Sequence, residues 1–162
     1  MEHVFHKITP IFDKSSKILI LGSFPSVKSR EAKFFYHHPQ NRFWKVLARE
    51  LACEIPDTIE EKKKMLLKYH IAVWDVIASC DIEGSSDSSI RNVEPNDLHV
   101  ILDHANIVQI FTNGGMADRL YRKYCLADIG KPAVRLPSTS PANAAYSLER
   151  LTEEWGIIRN LL

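Results

Sequence analysis

Four short apolar runs, each followed at once by a polar, turn-rich segment, constrain this chain more than any other feature. The first, Lys17-Ile-Leu-Ile-Leu21, runs into Gly22-Ser-Phe-Pro-Ser26. The second, Ile71-Ala-Val-Trp-Asp-Val76, carries Asp75 near its end and leads into the polar stretch Ser79–Asn92. The third, Ile107–Phe111, precedes Thr112-Asn-Gly-Gly115, and the fourth, Ala133–Leu136, precedes Pro137-Ser-Thr-Ser-Pro-Ala-Asn143. Uninterrupted apolar runs of this length suit strands buried on both faces. The intervening segments have helical spacing: Asn41–Ala52, Thr58–His70, Pro95–His104, Gly115–Tyr124 and Asn143–Asn160. Thr58-Ile-Glu-Glu61 reads as a capping box and Asn96 as a helix cap.

Strands alternating with helices imply a three-layer α/β/α fold around a central, mainly parallel four-stranded sheet. With 162 residues the expectation is a single domain over 1–162. In such a sheet all four turn-rich segments lie at the C-terminal edge and converge on one cleft, where ligands bind. Ser79–Asn92 is the longest stretch without a periodic pattern, and a loop of that length in a compact domain is usually functional or mobile.

Composition narrows the chemistry. No apolar run approaches a membrane span and the N-terminus lacks a signal-peptide pattern. The three cysteines are far apart, so neither a disulfide framework nor a CxxC metal pair is expected, and the setting is a reducing, intracellular one. Net charge is +1, but Lys28, Arg30, Lys33, Arg42, Lys45 and Arg49 cluster against the single acid Glu31. That cluster reads either as a phosphate-facing side or as a solvated helix face. Phosphate-loop and dinucleotide signatures, a GxSxG elbow and metal-ligand spacing are all missing, so no metal and no cofactor are expected. What remains is a cleft rich in Asn, Ser, Tyr and Phe. Neutral amides and aromatic faces suit recognition of a flat heterocycle by stacking and edge hydrogen bonds.

The motifs carry a resemblance. Gly22-Ser-Phe-Pro followed by His38-Pro-Gln-Asn-Arg-Phe-Trp44 resembles motif one of the uracil-DNA glycosylase superfamily, and Leu136-Pro-Ser-Thr-Ser-Pro-Ala-Asn-Ala144 resembles motif two. Trp74-Asp-Val-Ile-Ala-Ser-Cys80, with Gly84-Ser-Ser-Asp-Ser-Ser-Ile90, is similar to the hypoxanthine-DNA (deoxyinosine) glycosylase branch. The resemblance implies a monofunctional enzyme that hydrolyses the N-glycosidic bond of deaminated bases in DNA, chiefly hypoxanthine. It implies a monomer in the cytoplasm of a prokaryotic cell, associated with the nucleoid, with no membrane partner. Residue by residue it implies Asn41 as the catalytic group and Gly22, Ser23, Phe24, Tyr36, Asp75 and Asn113 around the base, with Tyr36 stacking on it. Ser138, Thr139, Ser140, Pro141, Ala142 and Asn143 would hold the opened strand.

Two positions depart from the superfamily pattern. Phe24 stands where other branches carry an Asn or Asp that handles the attacking water, which shifts weight to Asn41. Ala142 stands where relatives carry a bulky Leu or Arg wedge, which implies dependence on bases that already pair poorly. The rival readings are a mismatch-specific uracil or thymine glycosylase and an inactive nucleic-acid-binding relative. Taken singly, Asn41 serves equally as a helix cap, Tyr36 as core, Asn113 as a turn residue and Asp75 as a loop anchor.

Overall fold

The computed structural model describes residues 2–162. Strands β2 (Ile18–Gly22), β3 (Ile71–Asp75), β6 (Gln109–Asn113) and β7 (Ala133–Leu136) form a parallel sheet in the order β3-β2-β6-β7. β2 and β3 are buried along their whole length, which explains their unbroken apolar sequence. The chain starts in the middle of the sheet, steps outward to β3, then crosses back to β6 on the other side of β2. The direction of winding therefore reverses beside β2, and the crevice opens at its C-terminal end. The register places Gly22 level with Asp75, and Asn113 level with Leu136.

A second sheet departs from expectation. β1 (Glu2–Phe5), β4 (Ile77–Ile82) and β5 (Arg91–Pro95) form an antiparallel sheet in the order β1-β4-β5. The stretch expected to be irregular, Ser79–Asn92, is thus largely a hairpin whose tip holds a 3₁₀ turn, Asp87–Ser89. Its outer strand β5 is polar and exposed apart from a half-buried Val93, so it lacks an apolar run to betray it. Only Val76 separates β3 from β4. The Val76 N–H bonds the Gly22 carbonyl at 2.8 Å and the Ile77 N–H bonds that of Ser23 at 3.1 Å, carrying the pairing of β2 around the bend.

Helices cover the parallel sheet. α1 (Val27–Ala32) is capped by the Ser26 hydroxyl and ends at Lys33, whose φ is 56°. α2 (Phe43–Glu50) begins two residues later than expected, and α3 (Ile59–Lys68) is capped by Thr58 as expected. α4 spans only His99–Leu102, and Asn96 does not cap it: the Asn96 amide bonds the Asp75 carbonyl instead, at 2.9 Å. α5 (Gly115–Tyr124) is followed by a single turn, α6 (Leu126–Ile129). The terminal helix α7 spans Leu148–Trp155, capped by Ser147, and continues as a 3₁₀ segment, Gly156–Leu161; its expected first turn at Asn143 is a loop. Phe43 of α2 meets the fully buried Trp155 of α7 edge-on at 5.9 Å, which seats both helices against one core.

Candidate active site

The C-terminal ends of the parallel strands surround a cleft of about 290 Å³. It is lined by every sequence-expected site residue except Asn143, which lies in an adjoining depression. Gly22 forms part of the floor because nothing larger fits. A Cβ there would lie 2.5 Å from Asp75 Oδ1 and 3.0 Å from the Tyr36 hydroxyl. Residue 22 must be glycine so that the carboxyl and phenol can meet across it.

The floor is polar and largely unpaired. Asp75 Oδ2 and the Tyr36 hydroxyl are buried with no hydrogen-bond partner among the described residues. Burial, and secondarily the nearby Asp87, pushes the Asp75 carboxyl up to about 7. Burial, reinforced by Asp75 and partly offset by the nearby Asn113 amide, which lies outside hydrogen-bond geometry, also raises the Tyr36 phenol, which stays protonated. His6, just past β1, places Nε2 3.8 Å from Asp75 Oδ2, and both side chains are almost wholly buried. Desolvation lowers His6 to about 4, so it carries no charge at neutral pH. The Tyr36 ring stacks on Phe43 at 4.0 Å, and its backbone takes φ 49°, a left-handed geometry that the buried Phe34 and Phe35 before it hold in place.

Asn41 is not the N-cap of α2, a position taken by Arg42, but it forms an Asx turn that leads into the helix. Its Oδ1 accepts from the Phe43 N–H at 2.9 Å and so organises the start of α2. Its Nδ2 makes no hydrogen bond to the described residues, and the residue lines the cleft. The turn after β2 has a similar asymmetry. Its carbonyls at Gly22 and Ser23 are held by Val76 and Ile77, while the Ser23 and Phe24 N–H groups donate to no described residue. Phe24 is 8 % exposed and packs edge-on to His6 at 5.4 Å, so an apolar ring fills the place of the superfamily's usual amide.

The opposite wall is built the other way, with its polar groups committed to one another apart from the buried Arg42 Nε. Asn113 accepts from the Thr139 N–H and donates to the Thr139 hydroxyl, each at 3.0 Å. The Asn143 amide donates to the Ser138 carbonyl at 3.0 Å. Arg42 reaches across from motif one and donates to the carbonyls of Tyr146, Ser140 and Asn143. Ser138 and Ser140 line the cleft beside Pro141, and Ala142 stands exposed at its rim.

Three contributors escape reading from sequence. Asp87 accepts from the Ser23 hydroxyl at 3.1 Å and lines the cleft, and Ser85 accepts from the Val27 N–H at 2.9 Å, so the hairpin tip closes one side. His6 joins the floor through β1. The Ser-rich tip at 84–89 is the one signal that could have drawn attention to the first two; His6 carries none. The basic cluster resolves into parts. Arg30 is tied to the carbonyls of Pro25 and Gly84, Arg42 is the brace just described, and Arg49 lies 3.9 Å from Glu149. Lys33 and Lys45 remain exposed.

The site is thus a Gly-floored cleft at the winding reversal, with unpaired amide groups above it and a braced loop beside it. The chain belongs to the uracil DNA glycosylase superfamily, whose family model matches residues 9–162. Within it, the chain is 32% identical over 151 residues to the hypoxanthine DNA glycosylase of Methanosarcina acetivorans, covering 93% of this chain and 95% of that one. It is 31% identical over 107 residues to the hypoxanthine DNA glycosylase of Methanosarcina barkeri, covering 65% and 68%. A solution NMR structure from Methanosarcina acetivorans, described as a candidate uracil DNA glycosylase, superposes with a TM-score of 0.82 at 32% identity, covering 96% of this chain and 97% of that one.

Proposed function

We propose that this protein is a monofunctional DNA glycosylase that removes hypoxanthine from deoxyinosine in DNA. The observation that carries the reading is the pairing of a likeness to hypoxanthine DNA glycosylases over nearly the full chain with a cleft whose unpaired donors suit a departing base. The nucleotide is turned out of the stack into the cleft. As the C1′–N9 bond breaks, its electron pair goes to the base, and water adds to the sugar carbon. The Ser23 and Phe24 N–H groups meet the growing negative charge, as in an oxyanion hole. Asn41 acts through Nδ2, since its Oδ1 is held by the helix. Tyr36 bounds the base on the floor, and Ser138–Asn143 takes the opened strand against the wall that Arg42 braces.

Phe24 disfavours the uracil or thymine mismatch reading, because its ring leaves no amide at the water-handling position. No lysine is assigned as a Schiff-base nucleophile, so base release should leave an intact abasic strand. We take the protein as one domain over 1–162, a monomer of 18.6 kDa acting in the cytoplasm on nucleoid DNA. Among the described residues no helix is long and apolar enough to cross a membrane.

The test is single-turnover base release from oligonucleotides carrying inosine, uracil or xanthine, read by alkaline cleavage of the abasic product. Inosine is expected to be the fastest substrate. Because Ala142 fills little of the vacated stack, inosine opposite cytosine should be slowest and single-stranded inosine at least as fast as any duplex. No release from inosine in any context, or uracil released faster than inosine, overturns the reading.

A further inference from the structure

The cleft floor holds a carboxyl group that no cation of the described residues accompanies. Asp75 is 3% exposed, and its Oδ2 has no hydrogen-bond partner among the described residues. The groups that face it come from four elements. His6, following β1, lies at 3.8 Å and is uncharged at neutral pH because it is buried. Tyr36, before α2, places its hydroxyl against the same point above Gly22. Asp87, in the 3₁₀ turn, adds a second acid. Asn96, before α4, bonds the Asp75 backbone carbonyl and leaves the side chain alone. Arg30 of α1 faces the Phe24 ring and is tied to two carbonyls.

A carboxylate in this position would work against the reaction. It would share the cleft with Asp87 and then with the negative charge of the leaving base. Deamination puts a carbonyl oxygen where an amino group stood and a proton on the adjacent ring nitrogen. When the glycosidic bond breaks, that oxygen takes part of the leaving charge. We propose that Asp75 meets the extruded base as a neutral carboxylic acid, donating its O–H from Oδ1, the oxygen that lies over Gly22, to the base carbonyl oxygen. This inference rests on the glycosylase reading and adds a substrate-contacting acid to it. The hydrogen bond strengthens as charge collects on the oxygen, and the proton stays on Asp75. The base leaves with the former C1′–N9 electron pair and takes up the proton that the attacking water releases. Protonated acids held neutral by an apolar site stabilise anions in this way in other enzymes. The pH at which Asp75 ionises, near neutrality, matches the same assignment.

The experiment is single-turnover release of hypoxanthine from a single-stranded inosine oligonucleotide between pH 5 and 9, for wild type, Asp75→Asn and Asp75→Ala. The wild-type rate should be high at pH 5–6 and fall about tenfold per pH unit once Asp75 ionises. Asp75→Asn, isosteric and neutral, should stay within about tenfold of wild type at pH 6 and lose the alkaline fall, while Asp75→Ala should lose about 10²–10³. A wild-type rate that rises through neutrality, or an Asp75→Asn variant that is folded yet as slow as Asp75→Ala, assigns a carboxylate base and overturns the proposal. A wild-type profile flat from pH 5 to 9 overturns it too. Absence of any wild-type release on inosine at every pH strikes at the glycosylase reading itself, and so is distinguishable from these outcomes.

Discussion

The two sides of the cleft are made of the same kinds of residue and use them in opposite ways. On the motif-two wall, Asn113 pairs with Thr139, Asn143 with the Ser138 carbonyl, and both terminal nitrogens of Arg42 with loop carbonyls; only Arg42 Nε is left without a partner among the described residues, so the wall has a largely fixed shape. On the floor and the motif-one turn, Asp75 Oδ2, the Tyr36 hydroxyl, Asn41 Nδ2 and two backbone N–H groups have no partner among the described residues. Of these, Asp75 Oδ2 and the Tyr36 hydroxyl are buried, and a buried polar group left unpaired costs about 1–3 kcal/mol, so a protein keeps such groups where a ligand satisfies them. The difference teaches which residues to expect in chemistry and which in positioning. Asn41 and Asn113, two cleft asparagines, fall on opposite sides of that division.

The largest effect should come from the floor side. Asn41→Ala should reduce single-turnover base release by about 10²–10³, the size typical of one transition-state donor, with the melting temperature lowered only by the loss of the Asn41 Oδ1 hydrogen bond to the Phe43 N–H, about 1 kcal/mol. Rates within a few-fold of wild type would break the assignment of unpaired groups to chemistry.

Next is the stability contributed by Asp75. Its folded-state value of about 7 lies above the ordinary 3.8, so the folded protein holds a proton that the unfolded chain releases. That contribution is complete below about pH 4 and is lost as pH rises to about 7, a change of up to roughly 4 kcal/mol. Asp75→Asn does not titrate. Denaturant unfolding should therefore show the variant gaining on wild type between pH 4 and 8, with a constant difference above that. A difference that does not change with pH would mean that the floor carboxyl is already satisfied.

The smallest effect belongs to the wall. Arg42→Met keeps the packed stem and removes a guanidinium that holds three carbonyls, at a cost of about 2–3 kcal/mol. Because Arg42 is a positioning residue, we expect it to weaken binding of an abasic-site duplex more than it slows the bound step, separable as KM against kcat. An equal loss in Asn41→Ala and Arg42→Met of the bound-step rate would erase the contrast between the two sides.

Much of this arrangement is legible in the sequence for a simple reason. Strands buried on both faces and amphipathic helices leave periodic traces, and α5 and β7 appear with the expected bounds, Gly115–Tyr124 and Ala133–Leu136. The cleft follows from topology once the strands are parallel. The rest depends on partners distant in the chain. β5 is a mostly exposed strand with a register shift, and it exists because β4 pairs with it. β1 pairs with β4 across 77 residues or so of chain and brings His6 to Asp75. α7 begins at Leu148 rather than Asn143 because the carbonyls of residues 140, 143 and 146 are turned toward Arg42 instead of along a helix axis. Local pattern carries no record of such contacts.

Arg42 sits inside motif one but grips motif two, and that makes the two motifs a single inheritable part. A loop grafted from a relative into residues 137–146 would have to offer its backbone oxygens to a guanidinium arriving from another segment of the chain, whatever side chains it brought. The Thr139 and Asn143 side chains are tied as well, while Ala142 stands exposed at the rim, so a point substitution at Ala142 leaves the brace intact, whereas insertions and deletions in the loop are closed off unless residue 42 changes with them.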